Sequence, residues 1–495
     1  MSILILNRIR LHRQNPKPIF LSSYSSALSP PPSDLPNDPL ISDVVSLLSH
    51  HRSKSRWTHL LSLLPSSGIT PTHFSQIALH LKSNPHLALR FFFFTKSKCI
   101  CNHNLISLST IIHILSRARL KTHAQSVIRD AIIHAAQLES DSSKSAPLKV
   151  FETLVKTYRE CGSAPFLFDL LIKSCLDLKK IDGSIMIMRM LKSKGISPQV
   201  GTCNSLILGI SRCKGACAGY GVYCEVFGVG DDRFDGEVRR VTRVRPNVQT
   251  FNTLMECFFA ESEFDMVEEI WAEMEKSECV ANSYSYSILM SVFCEKKKMR
   301  EAENLWKEMR LKIVKPDAVA YNTIIGGFCK VGEIERAEEF LREMGLEGLH
   351  SSSVTYDHLV NGYCGVGNVD SAMLVYKDMC RKGFRADRCT MDALIGGLCD
   401  NGKVVEALEV MRVATRDAGF SATGKSYELL IKALCRMGNM EEALKLQAEM
   451  VGKGFGPNSR IYGGFIEAYR KLGNVEMEAM LRKESFAAQD QQEYG

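Results

Sequence analysis

The sequence lacks any run of the ~18 consecutive apolar residues that a membrane-spanning helix requires, although 45% of its 495 residues are hydrophobic. It also lacks histidine or cysteine spacings that resemble a zinc site, and no His-x-Glu motif is accompanied by the Pro-Cys-x-x-Cys of zinc deaminases. We therefore expect a soluble protein with no membrane span, no bound metal and no cofactor.

Acidic residues are scarce in the N-terminal quarter of the chain. Residues 1–138 carry 15 Lys and Arg but only four acids, whereas the whole chain has a net charge of +7, so the remaining residues are slightly acidic in balance. A uniformly basic body is thus excluded, and a polyanion would have to be bound by a local stripe of charge. Eleven of the 13 histidines precede Ala135, and we interpret this cluster as solvated surface.

Residues 1–33 contain no acid, four basic residues and seven serines, and they begin with the amphipathic stretch MSILILNRIRLHR. This composition is typical of an organellar transit peptide and lacks the continuous apolar core of a secretory signal. Early arginines favour the mitochondrion over the chloroplast, and a disordered basic tail is the alternative. We assign residues 1–40 to a transit peptide and a Pro-rich flexible linker.

The most regular stretch of the chain is AVAYNTIIGGFCKVGEIERAEEFLREMGLEGLHSS, residues 318–352. Apolar residues with a 3.6-residue period predict two short amphipathic helices, with Gly332 at the turn between them. The predicted apolar stripes are Tyr321, Ile324, Ile325 and Phe328 in the first helix, and Ile334, Ala337, Leu341 and Met344 in the second.

This unit recurs with a period of 35 residues, which predicts an all-α, right-handed solenoid of helix-turn-helix repeats. The units are 165–199, 200–247, 248–282, 283–317, 318–352, 353–387, 388–423 and 424–458, with a half-unit from Ser459. Small, apolar and turn positions recur in register: Ala302, Ala337, Ala372, Ala407 and Ala443; Met274, Met309, Met344, Met379 and Met450; Gly332, Gly367, Gly402, Gly438 and Gly473. We predict a degenerate helical region at 41–164, a repeat array at 165–484 and a polar tail at 485–495.

Unit 200–247 is 13 residues longer than its neighbours, and we place a loop insertion at about 228–244 after a second helix at Tyr220–Phe227. Three cysteines lie nearby, but no fourth zinc ligand follows them at finger spacing. The other recurrent cysteines, Cys294, Cys329, Cys364, Cys399 and Cys435, occupy one position of successive units. Their spacing in separate helical layers predicts free thiols that fill the core.

The segments YNTIIGGFCKVGEIERAEEFLREM and TYDHLVNGYCGVGNVDSAMLVYKDMCRKGF resemble pentatricopeptide repeats, and the unbroken 35-residue spacing resembles the subclass built only from such repeats. The resemblance is strong over about 165–484. It implies that single-stranded RNA lies along the array, one base per unit, with N-terminal units toward the 5′ end. The fifth residue of a unit meets the base edge, and the last residue assists.

The resemblance assigns four base-reading pairs. An amide suits a pyrimidine edge, and the shorter hydroxyl of Ser287 leaves room for a purine. The pairs are Asn204 with Asn247 and Asn252 with Asn282, both reading a pyrimidine with cytosine favoured; Ser287 with Asp317, reading guanine; and Asn322 with Ser352, reading a pyrimidine. The implied core is 5′-YYGY-3′. Capping of a helix start is the alternative role for the three amides Asn204, Asn252 and Asn322.

Four other units carry an acid at the reading position, and the resemblance assigns no base to them. Their pairs are Asp169 with Gln199, Asp357 with Asp387, Asp392 with Thr423, and Glu428 with Asn458. A carboxylate repels an RNA strand unless it accepts from a base amine. These units are therefore expected to bind RNA weakly or to contact protein.

The resemblance also implies residues that hold the strand in place. Val319 and Val354 match the apolar residue that sandwiches a base, and Lys330, Arg436 and Lys471 match a cation that contacts phosphate. Other units depart at that position, so phosphate affinity should be modest. A solvated helix surface is the alternative for each cation.

We expect no enzyme, because only about 37 residues follow the last full unit and no catalytic constellation is present. The expected function is sequence-selective binding of single-stranded organellar RNA by a monomer, in RNA processing, stabilisation, splicing or translation. Other RNA-processing proteins are possible partners. The alternative is a helical adaptor that binds protein in an organellar ribonucleoprotein complex.

Overall fold

The computed structural model describes residues 38–50, 55–65, 67–137, 146–228, 244–417 and 422–493. Within these ranges the chain forms 25 α-helices and a 3₁₀ turn at Leu81–Ser83, and it forms no strand. None of the described helices combines the length and apolar content needed to cross a bilayer. The predicted transit peptide lies almost entirely outside the described residues.

The helices before residue 248 are α1 (Pro39–His50), α2 (Arg56–Leu63), α3 (Pro71–His80), α4 (Pro85–Ser97), α5 (Leu105–Arg117), α6 (Lys121–Gln137), α7 (Ala146–Thr157), α8 (Phe166–Asp177), α9 (Ile181–Ser193), α10 (Val200–Lys214) and α11 (Ala216–Phe227). Those that follow are α12 (Val248–Ala260), α13 (Phe264–Lys276), α14 (Ser283–Glu295), α15 (Met299–Leu311), α16 (Ala318–Val331), α17 (Ile334–Leu346), α18 (Ser353–Gly365), α19 (Val369–Arg381), α20 (Arg388–Asp400), α21 (Val404–Asp417), α22 (Gly424–Arg436), α23 (Met440–Gly452), α24 (Ser459–Lys471) and α25 (Val475–Glu493).

The chain divides into two compact units, Met1–Cys257 and Phe258–Gly495. In the first, the hairpins α5/α6, α8/α9 and α10/α11 follow one another, and the single helix α7 packs against α5, α6 and α9. In the second, the first helices α14, α16, α18, α20, α22 and α24 each pack against the next, with their partner helices alongside. The predicted all-α fold of repeated helical hairpins is confirmed, whereas the handedness and the domain boundaries stay predictions.

The repeat register is confirmed at the helix starts. From residue 200 onward, every first helix begins at the residue predicted to open its unit, and α8 begins at Phe166, one residue late. The recurrent alanines and methionines are buried throughout. Gly332 adopts φ +84°, the left-handed conformation that ends α16. One position differs, because Phe340 is buried where Leu341 was expected.

The recurrent cysteines have a packing role that the sequence pattern did not specify. The Cys294 thiol lies against Gly327 of the next unit, and a Cβ at Gly362 would stand 2.8 Å from that of Cys329. These two thiols therefore fill the space that a glycine leaves in the following first helix, which lets the helices approach closely. Burial raises the pKa of Cys294 and Cys329 to about 12, as expected for unreactive core thiols.

The insertion and the histidine cluster require two corrections. Helix α11 begins at Ala216, four residues before the predicted Tyr220, directly after Gly215 with φ +92°. The inserted residues 229–243 lie outside the described part of the chain. The interpretation of the histidines as solvated surface is wrong for His113, which is fully buried and lies 2.8 Å from Thr157 Oγ1.

Candidate nucleic-acid interface

The last residue of a unit is the N-cap of the first helix of the next unit. Asn282 Oδ1 accepts a hydrogen bond from the backbone N–H of Ser285 at 2.9 Å, at the start of α14. Asp317 Oδ1 accepts one from the N–H of Ala320 at 2.9 Å, at the start of α16. At these two positions the assisting residue of a predicted pair also satisfies a free N–H at a helix start.

The fifth residue of a unit lies inside the first helix, one turn from its start. The alternative explanation of the amides as helix caps is therefore wrong for Asn204, Asn252 and Asn322. Asn204 and Asn252 are almost completely buried, and Asn322 is half-buried. Their recurrence needs a reason other than capping.

Two of the predicted pairs are in direct contact. Asn204 Nδ2 donates to Asn247 Oδ1 at 3.2 Å, in the first compact unit. Asn322 Nδ2 lies 3.4 Å from Ser352 Oγ, in the second. In both cases the side chain of the fifth residue of a unit reaches the residue that caps the first helix of the next unit. The two polar groups therefore lie side by side.

Sequence reasoning missed a third member of this arrangement. Thr250 Oγ1 donates to Asn204 Oδ1 at 2.8 Å, and Thr355 Oγ1 donates to Asn322 Oδ1 at 2.7 Å. Each threonine is the third residue of the following unit. The sequence does indicate this position, because a hydroxyl recurs at the third residue of six units: Thr202, Thr250, Ser285, Thr355, Thr390 and Ser426.

The predicted guanine reader has a different geometry. The Ser287 hydroxyl is buried and donates along its own helix to the carbonyl oxygen of Ser283 at 2.9 Å. The backbone N–H of Asp317 donates to Ser283 Oγ at 3.2 Å. The structure thus links Ser287 and Asp317 through Ser283, and the third residue of the next unit is Ala320, which carries no hydroxyl.

The acidic units use the same positions for hydrogen bonds within the chain. Asp169 Oδ1 accepts the backbone N–H of Gln199 at 2.9 Å, and Asp357 Oδ1 accepts that of Asp387 at 3.2 Å. Burial raises the pKa of both carboxyls, partly offset by these bonds.

The other two acids receive side-chain donors. Asp392 accepts from the hydroxyls of Thr423 at 2.8 Å and Ser426 at 2.5 Å, and Glu428 accepts from Asn458 Nδ2 at 2.7 Å. All four predicted acidic positions therefore contact the cap segment of the following unit, where the amide pairs also meet.

The predicted sandwiching residues lie on the surface of two helices that pack side by side. Val319 on α16 is 48% exposed and Val354 on α18 is 47% exposed, so both apolar side chains can contact a flat ligand. Tyr284 occupies the same position on α14 and is also exposed. Its aromatic ring suits base stacking. A comparison of the second residues of all units would have identified Tyr284 from the sequence.

The three predicted phosphate cations are exposed, and each pairs with an acid. Lys330 Nζ lies 2.5 Å from Glu295, and an Arg436 guanidinium nitrogen lies 3.7 Å from Asp400. Both acids occupy the same position in the preceding unit. Lys471 pairs with Glu467 of its own helix at 3.0 Å. A phosphate would have to replace these carboxylates, which lowers the net gain of each contact.

The described residues contain no cluster of three or more His, Cys, Asp or Glu side chains arranged to hold a metal ion. Cys213 and Cys217 are exposed and Cys224 is half-buried, and none of the three is part of a disulfide. Within the described residues, the candidate interface consists of the amides, hydroxyls, carboxylates and apolar side chains named above.

Comparison with known proteins gives consistent matches. The sequence profile of the PPR repeat family matches residues 246–295, 316–364 and 351–400, and a second profile, PPR repeat, matches 284–312, 389–414 and 425–455. A pentatricopeptide repeat-containing protein of Arabidopsis thaliana is 58% identical over 97% of both chains. Another from the same plant, named as mitochondrial, is 30% identical over 34% of this chain and 32% of its own length.

Two solved structures are similar at low sequence identity. The maize pentatricopeptide repeat protein PPR10 matches with a TM-score of 0.43 and 15% identity, covering 90% of this chain and 78% of its own. Yeast Rmd9p, solved in complex with a 16-nucleotide target RNA, matches with a TM-score of 0.28 and 14% identity, covering 84% of this chain and 93% of its own.

Proposed function

The chain belongs to the pentatricopeptide repeat family, and from this premise we propose that it binds single-stranded RNA sequence-selectively. The observation that carries the proposal is the recurring contact between the fifth residue of a helix and the cap of the next first helix. This contact places an amide at the same point of the hairpins α10/α11 and α16/α17, and a carboxylate at that point of α18/α19, α20/α21 and α22/α23. Units spaced in this way suit the regular spacing of nucleotides along a strand.

We propose that each base is held between apolar side chains and recognised at its edge. Val319 and Val354 present apolar surface on adjacent helices, and Asn322 lies between them in the chain order of the repeat. A base inserted there would lose contact with water, so an unmatched polar group on its edge would be unfavourable. The proposed core remains 5′-YYGY-3′, read by the four predicted pairs in chain order.

The proposed mode of action is occupancy without catalysis. A bound protein can block an exonuclease, hold an RNA hairpin open or recruit a processing factor, and none of these requires a reacting side chain. We place the protein in an organelle and favour the mitochondrion, with the chloroplast as the alternative. The acid-free residues 1–33 and the relatives named as mitochondrial support this location.

A second candidate function is a helical adaptor for protein. Asp357, Asp392 and Glu428 follow the amide-bearing units, and their carboxylates would disfavour an RNA backbone. A partner that presents lysine or arginine side chains would suit these units better. This function predicts binding to protein in the absence of RNA.

The test is a binding titration of the full chain with fluorescent RNA oligonucleotides. An RNA that contains the core, without secondary structure, should bind at least about tenfold more tightly than one in which all four core bases are exchanged between purine and pyrimidine, a difference of about 1.4 kcal/mol. Equal affinity for both would contradict sequence-selective reading. An absence of RNA binding together with saturable binding of a protein partner would support the adaptor function.

A further inference from the structure

The hydroxyl at the third residue of a unit is directed by the helix cap beside it. The backbone N–H of Ser352 donates to Thr355 Oγ1 at 3.0 Å, and that of Asn247 donates to Thr250 Oγ1 at 3.1 Å. A hydroxyl has two lone pairs and a single proton. Because its oxygen accepts from the cap, its proton is available for an acceptor elsewhere.

In both units the nearest such acceptor is the reading amide of the preceding unit; for Thr250 it is Asn204 Oδ1 at 2.8 Å, and Asn247 Oδ1 is a second acceptor at 3.0 Å. Thr355 Oγ1 lies 2.7 Å from Asn322 Oδ1, and Ser352 Oγ is farther away at 3.3 Å. Thr355 is fully buried, so water cannot replace the bond. If the Asn322 amide were turned by 180°, its NH₂ group would face Thr355. The buried hydroxyl proton would then have only the more distant Ser352 Oγ as an acceptor. The contact therefore fixes which end of the amide faces the threonine.

This orientation decides what the amide offers to a base. With Oδ1 held by Thr355, the NH₂ group of Asn322 faces Ser352 and the open edge, so the free group is a donor. Nitrogen N3, at the middle of the Watson–Crick edge, accepts a hydrogen bond in cytosine and donates one in uracil. A fixed donor therefore matches cytosine and opposes uracil.

Hydroxyls follow amides and acids alike, as Thr390 after Asp357 shows, but they can select an orientation only in an amide. Where the reading residue is Ser287, which has no amide, the third residue of the next unit is Ala320. Where it is Asp392, Ser426 donates to a carboxylate, whose two oxygens are equivalent, so no orientation is selected. The amide units are thus the ones in which the hydroxyl carries information about the base.

We propose that Thr355 and Thr250 are specificity-positioning residues for the preceding units, orienting Asn322 and Asn204 so that both units read cytosine rather than uracil. This proposal rests on the proposed function. It moves part of the recognition to a side chain that does not touch RNA and that belongs, by sequence, to the next repeat.

The test measures the ratio of affinities for two RNAs that differ only by cytosine or uracil at the fourth core base. Thr355→Val removes the hydroxyl with little change in shape, and the preference for cytosine should fall at least fivefold. Thr355→Ser should restore it. Ser426→Ala removes the equivalent hydroxyl and its capping contact behind Asp392 and should leave the ratio unchanged.

Thr250→Val provides the same test at the first core base and carries it alone if Thr355→Val does not fold. Thermal unfolding of each variant records the loss of the capping contact separately from the base preference. If Thr355→Val and Thr250→Val weaken binding to both RNAs equally, the hydroxyl is only structural and the proposal is overturned. If the wild-type chain binds no RNA of the panel, the proposed function fails, and the positioning role with it.

Discussion

Individual polar side chains buried in the first helices are expected to determine base preference and stability in acid. Ser287 illustrates this at the fifth position of its unit, since its buried hydroxyl donates to the Ser283 carbonyl oxygen of its own helix. His113 illustrates it away from that position, since it is buried against Thr157 and the edge of the Tyr158 ring. Each residue supports a prediction that depends on one side chain.

Ser287→Asn should change the preference at the third core base from guanine toward uracil. The longer amide fills the space that a purine requires, and the nearby Asp317 carboxylate can accept the N3–H of uracil. Affinities for four RNAs that differ only at this base measure the change. Ser291→Asn, one turn further along α14, is the control and should leave the preference for guanine unaltered. An unchanged preference in Ser287→Asn would show that the register is displaced.

Acid should weaken the fold through His113. Burial lowers the pKa of this imidazole from 6.5 to about 4, so between these values the unfolded chain takes up a proton that the folded chain does not. The stability contributed by the neutral ring is complete above pH 6.5 and declines as the pH falls, by about 3 kcal/mol near pH 4.

Urea titrations at pH 7 and pH 4.5 measure this loss. In His113→Gln, which keeps a neutral polar group, the free energy of unfolding should fall less over that interval than in the wild type. His86→Gln alters an exposed histidine and serves as the control. Parallel losses in the wild type and in His113→Gln would remove His113 as the cause.

At the scale of helices, close packing at α16 and α18 pairs a thiol of one first helix with a glycine of the next. Helix α16 approaches α14 at Gly327, where an added Cβ would overlap the Cys294 thiol and lie 2.9 Å from Met299 Cε. Gly396 has the same helical setting in α20, but its added Cβ would meet Leu429 at an ordinary 3.5 Å. Alanine substitutions at these two positions therefore distinguish the effect of helix propensity on stability from that of helix packing.

Gly327→Ala should destabilise the chain by about 1–3 kcal/mol, because neighbouring side chains or the whole of α14 must shift. Gly396→Ala should stabilise it by about 0.5–1 kcal/mol, because alanine favours the helix and nothing stands in its way. Chemical denaturation of both variants measures these values. A stabilising Gly327→Ala would show that the two helices do not pack closely.

Sequence reasoning succeeded where a signal is local and repeated, and it failed where a partner lies in another repeat. The helix starts at Ser283 and Ala318 were predictable, because the apolar period and the capping residues agree. The role of Thr355 was missed, because its hydroxyl serves a side chain 33 residues earlier in the chain. The burial of His113 was missed because it depends on α7, a helix outside the repeat pattern.

For the molecule as a whole, the charge lies largely outside the proposed RNA-reading units. The net charge of +7 arises from residues 1–138, and the cations predicted to contact phosphate are paired with acids. RNA binding by this chain should therefore depend on salt only weakly. Most of the binding free energy should come from base contacts.

We plot the logarithm of the association constant against the logarithm of salt concentration and expect a slope no steeper than about −2, since three phosphate contacts contribute about −0.7 each. Lys330→Gln should reduce the magnitude of the slope by about 0.7. Glu295→Gln should raise affinity severalfold at low salt by releasing Lys330. Lys307→Gln, an exposed lysine of α15, is the control. A slope much steeper than −2 would place the RNA on other cations.

The capping of each first helix by the last residue of the preceding unit also defines how repeats can be exchanged between proteins. A segment transplanted as 318–352 carries Asn322 and Ser352 but leaves Thr355 behind, so its amide would be oriented by whatever residue the recipient supplies. A segment cut as 321–355 carries the reading amide, the cap and the hydroxyl together. A transplantable module would therefore run from the fourth residue of one unit to the third residue of the next, three residues later than the repeat defined by the sequence period.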